Sequence, residues 1–353
     1  MMGEQISLII THHIDGFFLL YGSFKKEKNM QNKNEVLIED VSEEGLKKLE
    51  NFCSEVKKEK IKIVKKSKNK NAIAICIDLV TFNYYFTEKI YSHFWGGRWP
   101  ATAANYTFKN LNEFFKWYKD IYLPLKNLVI IKHIPHASLK MPKDIKLFFG
   151  EEKYNLKMTD IGIDMIFSTL EGLYLPENCP EIPEFEIKAK YSRLYCDVER
   201  FKDDNKEPMA KFGQGYIYKN YYDGEPFSLL GDIDYVEIEK YYDNHHKKLN
   251  KMVKEQVDQG KDVLILDLHS YSDDLASSLG QKGPFPDVCI GYDERYCKKE
   301  LLNLVVEEVK RRNLTYEFNF PYKGSIIPSD VLNGKIKGNV YSIMIEVHKR
   351  LYL

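Results

Sequence analysis

The chain has 353 residues, 44% hydrophobic and 14% aromatic, which is enough to bury a large core. At about 150 residues per domain this length suggests two domains. Lysine plus arginine and aspartate plus glutamate both number 52, so no net field draws the whole molecule to nucleic acid or to an acidic membrane, and partners have to be argued from local sites. No apolar run approaches the roughly 20 residues that span a bilayer. The start MMGEQISLII lacks a basic region and a small-residue cleavage site. The six cysteines form no C-x-x-C pair. A cytoplasmic protein with reduced thiols, bound to neither nucleic acid nor membrane, is the expectation; oligomeric state is left open.

The first third has its own pattern. EQISLIITHHIDGFFLLYGSF reads as two short strands around a His-Ile-Asp-Gly turn; its adjacent His12 and His13 would point to opposite faces and so seldom bind one ion. SEEGLKKLENFCSEVKKEK reads as an amphipathic helix, with Ser42 as N-cap and Leu46, Leu49, Phe52 and Val56 on one face. The lysine-rich run KKEKIKIVKKSKNKNA that follows is balanced by that helix's acids and reads as a solvated face and loop. NAIAICIDLVTFNYYF returns to strand. HFWGGRWP, a loop, leads into the aromatic-faced helical stretch NEFFKWYKDIYLPLKN, the sort of segment that joins two domains. The boundary is placed near Pro124, giving a smaller α+β domain over 1–124, of unknown role, and a second domain over 125–353.

Beyond the boundary, apolar strands alternate with helices. NLVIIKHIPH, KYSRLYCDVER, DVLILDLHS, PDVCIGY, TYEFNF and VYSIMIEVHK are the strand candidates; VEIEKYYDNHHKKLNKMVKEQVDQG and KKELLNLVVEEVKRR are helical. This alternation predicts an α/β fold with a mixed, largely parallel sheet flanked by helices.

The polar residues that end these strands carry the chemistry. DVLILDLHS finishes in Asp267, His269 and Ser270, which places polar side chains at the carboxyl edge of a sheet, where open α/β folds hold their ligands. His136 follows a strand and a proline in the same way. Two strand-end histidines invite a zinc ion, commonly held by imidazole and carboxylate with one position left for water. Asp160 is the candidate third ligand and Asp164, one turn further on, its substitute; Thr159 or Asp160 could equally cap a following helix. Asp267, two residues before His269 on the same face, would orient that ligand. Glu346, after the last apolar strand, is either a general base for a metal-activated water or a partner of Lys349 or Arg350. His133 alternates with the core face of its strand and reads as packing. Tyr322 and Lys323, in a glycine-containing loop, either reach over the site or form an ordinary turn.

Taken in order, IPHAS, TD, SRLYCDVER, DLHS, FPDVCIG, FPYKGS and the terminal IEVHKRLYL resemble the N-formylglutamate amidohydrolase family, which is similar in fold to the zinc carboxypeptidases. The resemblance covers about Asn127 to Leu353. It implies zinc as cofactor, with His136, Asp160 and His269 as ligands and Glu346 as the catalytic glutamate. It further implies that Arg193 and Arg200 clamp a substrate carboxylate, for which a guanidinium fork is suited, unless they instead pair with Asp197 or Glu199. His246 matches a histidine of the family's helical segment and is a candidate substrate contact. Glu199 stands where the family usually has asparagine. If it faces the pocket it repels an acidic substrate and favours a cationic or amide group.

The expectation is a zinc-dependent hydrolase that cleaves an amide bond of an N-acylated, N-formylglutamate-like amino acid or a related small substrate. Alternatives are a metallopeptidase or deacylase acting on a short peptide or modified amino acid, and a non-catalytic binding protein on a hydrolase fold.

Overall fold

The computed structural model describes residues 115–163 and 182–353, and the backbone of four strands before them. Those four, β1 (Asn34–Ile38), β2 (Ile61–Lys66), β3 (Ile73–Ile77) and β4 (Tyr106–Phe108), form one sheet in the order β2-β3-β1-β4. β3 antiparallel to β1 and β2 matches the strand read at NAIAICI. β2, paired with β3, falls within the lysine-rich run and corrects the loop expected there. The His-Ile-Asp-Gly hairpin, the helix from Ser42, the HFWGGRWP loop and Asp164 lie outside the described residues.

A helical segment over 115–125 buries Trp117, Tyr118, Tyr122 and Leu125, the aromatic face expected there. Leu125 enters the core under a second sheet. That sheet holds β5 (Leu128–Ile134), β6 (Glu184–Lys188), β7 (Asp262–Tyr271), β8 (Val288–Gly291), β9 (Tyr316–Phe318) and β10 (Val340–His348), in the order β6-β5-β7-β10-β8-β9. Every neighbouring pair is parallel except β10 with β8. The helices are α1 (Glu152–Met158), α2 (Tyr235–Asp258), α3 (Asp273–Ser278), α4 (Lys299–Arg311) and α5 (Ser329–Leu332).

Side chains alternate across the pleat, so each central strand feeds two cores. Leu264, Leu266 and Leu268 of β7, with Ile343, Ile345 and Val347 of β10, share a core with Leu301, Leu304, Val305 and Val309 of α4. The intervening Val263, Ile265, Ile131 and Val340 belong to a separate core with Leu249 and Val253 of α2. Period two therefore places His133, Asp267, His269 and Glu346 on the α2 side, toward the carboxyl ends of their strands.

Helix α2 starts where Asp234 Oδ1 accepts the backbone N–H groups of Val236 and Glu237, at 2.8 and 3.4 Å. Its buried stripe, Ile238, Tyr242, His245, Leu249 and Val253, has helical spacing, so His245 belongs to the face packed on the sheet.

KYSRLYCDVER is not a strand. Its apolar residues, Leu194, Tyr195, Cys196 and Val198, are buried in an irregular segment instead. Side chains and turns hold it: Ser192 Oγ donates to Asn155 Oδ1 and Asp197 N to Tyr216 O. The edge strand β6 lies just before it and buries only Ile187, so it has no apolar run to announce it. Among the described residues no helix is long and apolar enough to cross a membrane.

Burial pushes the His246 imidazole down to about 4, with His133 adding to the shift. Below the ordinary histidine range the unfolded chain binds a proton that the folded chain refuses, so stability falls as pH drops from about 6.5 to about 4. His246→Gln should remove roughly 2 kcal/mol of the stability lost between about pH 7 and pH 5. Urea denaturation of both proteins at the two pH values checks this, and an unchanged difference would contradict it.

Candidate active site

Three parallel strands end at one edge. β7 pairs His269 with Glu346 of β10, and Asp267 with His133 of β5. Pro135 closes β5, and His136 turns inward just beyond the strand. Asp160 follows the end of α1, tied to the same place because its backbone N–H donates to His136 O at 2.9 Å. His136, Asp160, His269 and Glu346 are all buried.

The two histidines meet through Nδ1, 3.2 Å apart. Asp160 Oδ2 lies 3.3 Å from His269 Nδ1 and 3.7 Å from His136 Nδ1, and accepts no hydrogen bond. Its other oxygen accepts from Ser270 Oγ at 3.1 Å, which fixes which oxygen faces the rings. On the far side of the rings, His136 Nε2 donates to Asp197 Oδ1 at 2.8 Å, and His269 Nε2 lies 3.0 Å from Asp267 Oδ1. Glu199 also faces this outer side, its Oε1 3.1 Å from His269 Nε2 and its Oε2 3.6 Å from His136 Nε2. Two overlapping groups can therefore gather a cation: the histidines with Asp160 through Nδ1, and the histidines with Glu199, whose donor atoms converge within 4.8 Å.

Burial works against ionisation of Asp160, Asp197 and Asp267, yet their histidine and arginine neighbours hold all three below the usual carboxylate range. Burial likewise opposes a charge on His269, but Glu199 and Asp267 raise its imidazole well above the ordinary value. Glu346 is different. Burial pushes its carboxyl up to about 8, and Oε2 has no partner. The pairing that could have made it structural is not formed: Lys349 Nζ donates to the backbone oxygens of Lys157 and Thr159, at 2.9 and 2.8 Å, and Arg350 pairs with Asp287.

Arg193 directs Nε and Nη2 at Asp197 Oδ2, at 3.1 and 2.9 Å, and so takes the ion-pair role. Arg200 is less occupied: its Nε is buried without a hydrogen bond, 3.7 Å from the same oxygen, and Nη1 reaches Glu199 at 3.4 Å. Asp197 is thus a hub, also accepting from Tyr218 Oη at 2.8 Å. His246 packs its ring on Tyr242, 4.3 Å between centroids, and bonds the Val198 backbone. It supports the segment carrying Asp197 and Glu199 and does not face the cluster. The histidine of α2 that does reach the sheet is His245, 3.0 Å from His133 Nε2, and His133 in turn donates to Asp267 Oδ1 at 2.7 Å. His133 is therefore a polar link, not apolar packing. The backbone oxygen of Tyr322 accepts from Cys289 Sγ, beside Glu346 in the ladder, so that loop does lie against the site.

Buried histidines with carboxylates on both sides, and an unpaired glutamate beside them at the carboxyl edge of a mixed sheet, define a hydrolase-type site able to hold a cation. The family model for N-formylglutamate amidohydrolase matches residues 128–353, and the chain belongs to that family of amide-bond hydrolases. Among solved structures, N-formylglutamate amidohydrolase from Ralstonia eutropha JMP134 is similar in fold, with TM-score 0.50 and 20% identity over 64% of this chain and 83% of that one. A gene product of Agrobacterium tumefaciens aligns at TM-score 0.39 and 17% identity, over 64% and 81% of the two chains, too distantly to carry an argument. No curated protein sequence matches significantly.

Because the Glu346 carboxyl titrates higher in the folded chain, its contribution to stability is full below the ordinary glutamate range and is lost as the pH rises toward about 8. Glu346→Gln should stabilise the chelator-treated protein, on the order of 1–3 kcal/mol, and more at about pH 8 than at pH 5. Melting temperatures shifted equally at both pH values would contradict this.

Proposed function

We propose that this amidohydrolase works with one zinc ion held by His136, Asp160 and His269. The observation that carries the reading is the triangle of His136 Nδ1, His269 Nδ1 and Asp160 Oδ2, with edges of 3.2, 3.3 and 3.7 Å. Ligands about 2.1 Å from a tetrahedral zinc stand about 3.4 Å apart, so this donor set fits the ion. The orphaned Oδ2 of Asp160 supports the same set. Glu199 is the weaker third ligand, because the Nε2 atom it faces on His136 already donates to Asp197. Imidazoles that ligate through one nitrogen and give the other to a carboxylate are the usual arrangement around zinc.

A zinc ion bound there would polarise the scissile carbonyl and acidify an attacking water. Glu346 takes the proton from that water as its oxygen adds to the carbonyl carbon. The same carboxyl then returns the proton to the amine nitrogen as the C–N bond breaks, leaving a carboxylate and a free amine. A buried carboxyl raised above the ordinary glutamate range is suited to both taking and returning a proton. Arg200, with unsatisfied Nε, is the group available to steady developing negative charge or a substrate carboxylate, whereas Arg193 holds Asp197.

The substrate is an N-acylated amino acid, a related small amide or a short peptide, hydrolysed in the cytoplasm. The negative charge of Glu199, next to Arg200 on the outer side of the histidine rings, favours the less acidic members of this class over N-formylglutamate itself. An unpaired buried carboxyl beside the histidines has no use in a protein that only binds.

Purified protein should carry about one zinc per chain by elemental analysis. Asp160→Ala should lose it; Glu346→Gln should keep it while losing several orders of magnitude in rate. Loss of metal from Glu199→Asn but not from Asp160→Ala would exchange the two carboxylates in this scheme. Steady-state kinetics should show weak turnover of N-formylglutamate that improves in Glu199→Asn; efficient turnover with no effect of that change would make N-formylglutamate the substrate.

A further inference from the structure

We infer that His133 and His245 are positioning residues for the zinc site, forming a clamp that holds Asp267 against the outer nitrogen of His269. The inference rests on the reading of His269 as a ligand. Asp267 is fully buried in the middle of the sheet and its carboxylate is held from two sides, Oδ1 lying 2.7 Å from His133 Nδ1 and Oδ2 accepting from Ile326 N at 3.1 Å, which leaves Oδ1 3.0 Å from His269 Nε2, a nitrogen with no hydrogen bond of its own. His133 comes from β5, Asp267 and His269 from β7, and Ile326 from the segment leading to α5.

The proton positions follow from what each group can do. An ionised carboxylate only accepts, so His133 carries its proton on Nδ1. Its Nε2 then faces His245 Nε2, 3.0 Å away, and the two nitrogens share a hydrogen bond. His133 is buried to the same degree as the leucines beside it, and His245 sits in the stripe of α2 between Tyr242 and Leu249. Two imidazoles in such surroundings destabilise the fold unless their hydrogen bonds are made, and leucines would fill the same space without that cost. What the imidazoles add is direction. His133 stops the Asp267 carboxylate from turning away from His269, and His245 stops His133 from turning away from Asp267.

The test is zinc affinity, measured by competition with a chromophoric chelator, alongside melting of the metal-free protein. His133→Asn retains an N–H in the place of Nδ1 and should bind zinc within about threefold of the natural chain. His133→Leu should bind 10- to 100-fold more weakly, the range for removing an outer partner of a zinc ligand. His245→Leu should lose a smaller factor, about tenfold. Should His133→Leu fail to fold, His133→Gln, which moves the donor to the Nε2 position, replaces it with the same expected loss. Affinities equal to that of the natural chain in all variants, with only lower melting temperatures, would overturn the clamp and leave the zinc reading standing. A natural chain that binds no zinc would overturn both.

Discussion

The parallel pairing of β7 with β10 is the constraint on which the rest of the site depends. It runs from Val340 opposite Val263 to His348 opposite Tyr271 and sets Glu346 beside His269. A slip of one residue would turn every side chain of β10 to the other face, putting Glu346 among the leucines and valines under α4. The register is pinned by those apolar residues. Ile343, Ile345 and Val347 must meet α4, so Met344 and Glu346 must face the other way. The chemistry of one face is thus positioned by the packing of the opposite one.

Placing five carboxyl groups and four imidazoles at the edge of such a core opposes folding unless each polar atom is met. Three of the carboxylates are well provided. Asp197 gathers His136, Arg193 and Tyr218; Asp267 gathers His133 and the Ile326 backbone; Asp160 is held by Ser270. Left without a hydrogen-bond partner in the cluster are Asp160 Oδ2, Glu346 Oε2, His269 Nε2 and Arg200 Nε. Asp160 Oδ2 lies against the histidine pair and Glu346 stands beside His269 in the ladder, which is where departures from local satisfaction concentrate in enzymes.

Much of this was legible in the sequence, because β5, β7 and β10 are apolar runs closed by polar residues and their parallel direction brings those ends together. Period two correctly put Asp267 and His269 on one face. What the sequence hid has a common cause: hydrogen-bond partners distant along the chain. His133 reads as core by alternation with Ile131, and only the pairing of β5 with β7 reveals Asp267 at its side. Asp197 lies in a stretch whose buried Leu194, Tyr195, Cys196 and Val198 imitate a strand, so its position at the centre of the arginine and histidine contacts was not readable from spacing. His245 is a different case. The sequence did contain the signal, since Ile238, Tyr242, His245 and Leu249 follow one helical stripe, and His246, preferred by resemblance, falls beside that stripe.

The order of strands has a consequence for how the molecule is made. β10 follows β7, β8 and β9 along the chain but occupies the lane between β7 and β8. Until residues 340–348 leave the ribosome, those two strands have no neighbour on that side, and the most apolar edge of the sheet is open to other chains. The growing polypeptide can form β5 with β6 and β7 early, but closure waits for a segment that must be threaded into the middle. Glu346 arrives with that segment. The reactive site is therefore completed by the same event that seals the sheet, and a nascent chain stalled earlier would be both inactive and prone to aggregate.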